Sequence, residues 1–196
     1  MKIKTAWRVL AFSAVFGLGL VGCGGDEDNP AENNGGSNKN NGDGGTYDFV
    51  ELGGLKWMTK NLNVETADSW CYEDSAANCY KYGRLYTWAA ADKACQSIGW
   101  RLPSLEDWDR LAESVGGTRA FPEDNEDNYH HDWNDAGEKL KSKDGWFDYC
   151  NMYCRKGSGT DDFGFSALPG GFYFDGIYDG TGYDGHWWTA TETPYL

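Results

Sequence analysis

Three tyrosines and three aspartates interleave across a Gly-rich stretch near the end of the 196-residue sequence: Tyr173, Asp175, Tyr178, Asp179, Tyr183 and Asp184. Flat rings with a polar edge stack on the apolar faces of sugar rings at small entropic cost, and carboxylate oxygens suit a hard cation such as calcium. These six residues are the ligand-binding candidates. They follow no fixed Asp-x-Asp-x-Asp-Gly frame, so no cofactor is expected, and calcium is the one ion the oxygens would suit.

Catalytic chemistry is poorly supplied. Gly164-Phe165-Ser166-Ala167-Leu168 begins like a nucleophile elbow, but Leu168 stands where the strained turn needs its second glycine, so Ser166 is expected to be a strand residue. The histidines are His130, His131 and His186, which leaves few candidates for a general base. Cys150, Cys154 and one of His130 or His131 offer zinc-ligand types at a spacing that fits no standard finger, and no metal site is expected there. With Asp+Glu 31, carboxylates that are neighbours in sequence carry no information. The chain reads as non-enzymatic.

These residues sit in a chain of uneven composition. Lys+Arg 17 against Asp+Glu 31 gives a formal net charge of -14, which would repel phosphate backbones, so no nucleic-acid partner is expected. Lys2, Lys4 and Arg8 precede an apolar stretch from Val9 to Leu20, shorter than the roughly 20 residues of a spanning helix. This pattern reads as a signal peptide over residues 1–22. It ends in Leu20-Val21-Gly22-Cys23, which resembles the lipobox of bacterial lipoproteins, where cleavage before the Cys is coupled to its acylation. Cys23 is therefore the expected lipid-attachment residue, and the lipid bilayer the first expected partner.

Residues 23–45 are Gly- and Asn-rich with no large apolar side chain, and read as an acidic, flexible tether. Asp26-Glu27-Asp28 resembles the surface-export signal of some outer-membrane lipoproteins and reads equally as a solvated charge run; the expected location is the bacterial outer membrane or cell surface. Residues 46–196 then form one folded domain, large enough for its own core.

Cysteine arithmetic follows from that address. Setting Cys23 aside leaves five of the six cysteines in an oxidising compartment, and an odd number leaves one without a partner. Cys71 with Cys79 and Cys150 with Cys154 are the expected local bridges; Cys95 is expected to be unpaired.

The elements that must position these residues are legible in part. Tyr47–Val50 and Leu55–Met58 flank Gly53-Gly54 as a hairpin. Leu85–Cys95, with three consecutive alanines, predicts a first helix. Ser104-Leu105-Glu106-Asp107 resembles a capping box before Trp108, Leu111, Ala112 and Val115 at i, i+3, i+4 and i+7, which predicts a second helix ended by Gly116-Gly117. Short strands are predicted over Phe163–Leu168, Gly171–Phe174 and His186–Thr193, and the class is α+β.

Six blocks in order resemble the Fibrobacter succinogenes major paralogous domain family of bacterial surface and secreted modules. They are Trp57–Leu62, Tyr82–Trp88, Gly99–Ser104, Leu140–Ser142, Phe163–Gly171 and Trp187–Glu192. The family is similar in turn to the C-type-lectin-like and formylglycine-generating-enzyme-like folds, which share Arg101-Leu102-Pro103 followed by a Trp-bearing helix. The resemblance implies a C-type-lectin-like module with two helices and a curled antiparallel sheet. It implies no established activity.

Family members run on past the Trp-Trp block and close with a Gly-x-Ser-Val-Arg-Cys-like segment. The present sequence ends at Leu196, so the closing strands are expected to be missing, and with them the natural partner of Cys95. Trp187 and Trp188 would then lie at a poorly covered sheet edge. Trp57, Trp88, Trp100, Trp108, Trp187 and Trp188 are expected in the core. Trp133-Asn134-Asp135 spells the calcium triplet of sugar-binding lectins but precedes the Phe163 block, whereas the lectin triplet sits late in the fold, and it is read as coincidence.

The functional expectation is a surface-tethered lipoprotein binding module for extracellular polysaccharide. One alternative is a structural or protein-docking envelope protein. A second is a degenerate formylglycine-generating-type enzyme, which would need a Cys pair near the end of the domain.

Overall fold

The computed structural model describes residues 3–8, 20, 22–25, 38–39, 46–120, 133–150 and 154–193. Strands β1 (Ile3–Arg8), β2 (Gly24–Gly25) and β3 (Asn38–Lys39) precede β4 (Thr46–Tyr47), the partner of β3. β5 (Phe49–Leu52) and β6 (Leu55–Met58) form the predicted hairpin, and β2 adds to the free side of β6. Its turn holds Gly53 and Gly54 at φ 62° and 75°, a left-handed geometry that matches the twist of paired strands. Gly53 is the stricter of the two, since a Cβ there would lie 2.8 Å from the Arg110 carbonyl oxygen.

β7 (Ser69–Trp70) leads through a 3-10 turn (Tyr72–Asp74) into α1 (Ala76–Tyr82) and β8 (Leu85–Tyr86), which pairs back onto β7. α2 (Trp88–Ser97) starts where the Thr87 hydroxyl accepts the Ala90 N–H, and α3 (Leu105–Ser114) starts at a complete capping box between Ser104 and Asp107. β9 (Thr118–Arg119) pairs with β10 (Trp133–Asn134) ahead of α4 (Ala136–Leu140), and β11 (Tyr149–Cys150) pairs with β12 (Cys154–Arg155). Last come the hairpin β13 (Gly170–Phe174) and β14 (Ile177–Thr181), then β15 (His186–Thr193), which pairs antiparallel with β1.

The fold is α+β, as expected, but its parts differ from the two helices and curled sheet that were anticipated. Four α-helices are present among the described residues, and the strands form small separate antiparallel ladders of two or three. α1 and α4 are seven and five residues long, too short to carry a 3.6-residue period. Leu85 and Tyr86, predicted as helix, pair as a strand instead, because Thr87 supplies the cap that starts the helix one residue later.

Two apolar clusters make the core. Trp57, Trp108, Phe165, Trp187, Leu111 and Leu20 anchor the first, with Trp57 and Trp108 centroids 4.8 Å apart. Tyr86, Ala91, Ala94, Cys95, Leu102 and Trp188 anchor the second, against the inner face of α2. Of the six tryptophans expected inside, Trp57, Trp108, Trp187 and Trp188 are buried, while Trp88 and Trp100 are half-buried at the edge of the second cluster.

The expectation that Trp187 and Trp188 lie poorly covered is corrected. Their indole N–H groups donate to Asn61 Oδ1 and the Tyr86 carbonyl, both at 2.8 Å. β1 lies along the strand that carries them, and Leu20 packs into the cluster that holds Trp187. Ile3–Arg8 and Leu20, read as parts of a departing leader, are thus seated against the domain.

The structure has three disulfides: Cys71–Cys79, Cys150–Cys154 and Cys23–Cys95. The expectation of an unpaired Cys95 is corrected by the last of these. The count that left it alone had removed Cys23 from the pool, whereas here the backbone of residues 22–25 carries Cys23 to α2.

Candidate functional site

Asp175 and Gly176, at φ 48° and 84°, turn the β13–β14 hairpin through a two-residue left-handed loop. That turn sets the register, and the register puts Tyr173 directly opposite Tyr178 with centroids 4.6 Å apart. Both are half-buried. Trp70 lies nearly parallel to Tyr173, at 6.5 Å and 14°, and Tyr72 meets Tyr178 at 5.2 Å. Four rings from two distant parts of the chain therefore make one aromatic platform.

The platform is braced from below. The Cys71–Cys79 bridge ties the 3-10 turn to α1, and Asn78 Nδ2 donates to the Tyr72 carbonyl at 2.9 Å. Arg84 fixes β7, with Nε donating to Ser69 Oγ at 3.0 Å and Nη2 to the Ser69 carbonyl at 3.2 Å. Glu73 and Asp74 both adopt left-handed backbone, and Asp74 Oδ1 accepts the Tyr178 hydroxyl at 3.0 Å. The Tyr178 phenol is pushed up to about 12, first by burial and then by the bond to Asp74 and its negative charge. It is a neutral donor at any physiological pH.

The other predicted binding residues are dispersed. Tyr183 makes its ring contact with Phe147, at 5.4 Å, and both rings are exposed. Asp175 is spent on the turn, and Asp179 Oδ1 accepts the Gly180 N–H at 2.7 Å. The main chain of Asp184 joins the hairpin base, its carbonyl accepting from Gly171. Asp175, Asp179 and Asp184, whose oxygens would suit calcium, do not come together as a cation cage. Among the described residues no group of three or more His, Cys, Asp or Glu could hold a metal ion.

Ser166 is held at φ 55°, with its N–H and hydroxyl both on the Asp161 carboxylate at 2.7 Å. The predicted strand is corrected here: Ser166 occupies a left-handed turn pinned by Asp161. Its immediate partner is a carboxylate, and His186, the histidine within the described residues, lies against Phe172 instead, at 5.0 Å. His130 and His131 lie outside the described residues. The Trp133-Asn134-Asp135 triplet is structural: Trp133 donates to Asp109 Oδ1 at 3.0 Å under the Arg119 guanidinium, and Asp135 opens α4.

The sequence pattern of the Fibrobacter succinogenes major domain matches residues 50–195. The chain belongs to that family. No curated protein and no solved structure matches it. In this Fibrobacter succinogenes major domain the whole aromatic platform, from Trp70 to Tyr178, falls inside the matched span. Leu20 and Cys23 fall before it, yet each is fully buried, one in either core cluster.

Trp70, Tyr72 and Phe147 are the residues that sequence reasoning missed. Trp70 and Tyr72 flank Cys71, one residue away on either side, and the expected local bridge was the signal that this segment would be fixed rather than loose. Nothing local marks Phe147.

Proposed function

We propose that this domain is a lipid-anchored binding module, non-enzymatic, that holds extracellular polysaccharide on the half-buried Trp70, Tyr173 and Tyr178 rings, with Tyr72 buried behind them as their support. The observation that carries the reading is the near-parallel stack of half-buried Trp70 and Tyr173 beside an oriented phenol and carboxylate. Flat aromatic area with a polar rim suits a sugar ring, whose faces are apolar and whose hydroxyls point outward.

The anchor reading rests on Lys2, Lys4 and Arg8 ahead of the Val9–Leu20 stretch and Cys23. Acyl chains on Cys23 would hold the domain at the outer membrane or cell surface, with residues 23–45 as the tether once Gly24–Gly25 have left the side of β6. Among the described residues no helix is long and apolar enough to cross a membrane. Arg101-Leu102-Pro103 ahead of the Trp108 helix supports a C-type-lectin-like or formylglycine-generating-enzyme-like ancestry for the domain.

A second reading, docking to an envelope protein, is favoured by the hairpin tip, where Phe174 and Ile177 stand exposed side by side across the turn. Retention of the full chain on a panel of insoluble polysaccharides, with and without chelator, separates the two. Binding that disappears in Trp70→Ala supports the sugar reading. Passage through every matrix removes it and leaves docking.

A further inference from the structure

The segment around Cys23 is stitched into the domain by main-chain bonds. Leu20 N–H donates to the His186 carbonyl at 2.8 Å and its own carbonyl accepts from Trp188 at 3.2 Å. Gly24 and Arg101 exchange two bonds, at 2.9 and 3.0 Å, and the Cys23 carbonyl accepts from Met58. Leu20, Cys23 and Cys95 are all fully buried, and Gly170 leaves the space that Leu20 fills: a Cβ there would lie 2.7 Å from Leu20 Cδ1.

We propose that Cys95 decides whether Cys23 can be acylated. Cys23 Sγ forms one further bond, either the disulfide to Cys95 or the thioether to a lipid, and each excludes the other. The proposal rests on the anchor reading above and adds its regulation. In the acylation branch the Cys23 thiolate attacks the glyceryl carbon of a diacylglyceryl phospholipid. An S–C bond forms, the C–O bond to phosphate breaks, the phosphate-bearing headgroup leaves and the thiol proton passes to solvent.

In the other branch two thiols give up two protons and two electrons to a disulfide-bearing thiol oxidant, which departs as two thiols. Once closed, the bridge is sealed in the second core cluster, among Tyr86, Leu102 and Trp188 of β15. Neither a reductant nor a lipid-transferring enzyme reaches a sulfur with no exposed surface. Folding and oxidation ahead of acylation therefore divert the chain to a form that keeps its N-terminal segment seated across β15. Acylation first, followed by cleavage before Cys23, empties the Leu20 slot and leaves Cys95 as a thiol.

The test uses the full chain in a Gram-negative host fed an alkyne fatty acid, with and without dithiothreitol in the medium. Wild type should gain label severalfold with dithiothreitol. Cys95→Ser should be labelled to that higher level in both media, and Cys23→Ser in neither. Peptide mapping of the unlabelled wild-type fraction should recover the Cys23–Cys95 bridge. The reductant arm needs no substitution, so a poorly folding Cys95→Ser chain does not decide the result.

Equal labelling of wild type and Cys95→Ser in both media overturns the gate and leaves the anchor standing. Absence of label from every chain that carries Cys23 overturns the anchor itself, and the gate with it.

Discussion

The Tyr178 hydroxyl donates to the Asp74 carboxylate across 104 residues of sequence, and this 3.0 Å bond joins the β13–β14 hairpin to the 3-10 turn beside Trp70, together with the Tyr72–Tyr178 ring contact. Tyr178 keeps its proton longer in the folded chain than in the unfolded one, where the ordinary value is 10.0. The folded state therefore binds more protons than the unfolded state between about pH 10 and 12, and stability contributed by this phenol is intact below that window and falls as pH rises through it. Ultraviolet titration should show one phenolate ionising near 12 that is missing in Tyr178→Phe. An unchanged titration curve would contradict the assignment.

Ring stacking on the platform sets a second expectation. Trp70→Ala and Tyr173→Ala should each weaken polysaccharide retention, and the double variant should lose less than the sum, because each ring holds the other in place. The stability coupling between the two, read from a double-mutant cycle in urea, should be about 0.5–1.5 kcal/mol. Strict additivity in both measurements would mean that the rings do not act as a unit.

Where a feature is encoded within a few residues, the sequence discloses it. Ser104 with Asp107, and Gly53 with Gly54, are local devices, and they stand where their spacing places them. The platform is different in kind. Tyr173 and Tyr178 are visible as a Tyr-rich loop, but only tertiary packing brings Trp70 and Tyr72 under them, and no periodicity reports a contact across a hundred residues. Cys23 shows the same limit from the other side. Its neighbours Leu20 and Gly22 fit a lipobox, and the same small and apolar residues fit a narrow seat beside Trp187 and Trp108.

The two turn glycines should differ when replaced. Both hold left-handed backbone, so alanine costs about 1–2 kcal/mol of strain at either position. Gly54 has nothing within 4 Å of a new Cβ, and Gly54→Ala should cost only that strain. Gly53→Ala drives the methyl against the backbone of Arg110 in α3 and should cost clearly more, by urea denaturation. Equal losses would show that the hairpin does not press on the helix.

Asp107 links helix capping to acid stability. Burial alone would raise its carboxyl, but the Arg101 guanidinium at 2.6 Å and the Ser104 N–H at 2.7 Å outweigh burial and hold it below the ordinary 3.8. A lowered folded value means the unfolded chain takes up the proton first as pH drops. The stabilisation is therefore complete above about pH 4 and is lost as pH falls through the folded value. Ser104→Ala removes the hydroxyl that accepts the Asp107 N–H and should cost about 1 kcal/mol at neutral pH. Asp107→Asn should destabilise at pH 7, and by progressively less as pH falls through the folded value and wild type gives up the charge. A penalty for Asp107→Asn that stays constant from pH 7 to pH 2 would show that shape, not the carboxylate, is what Arg101 and Ser104 read.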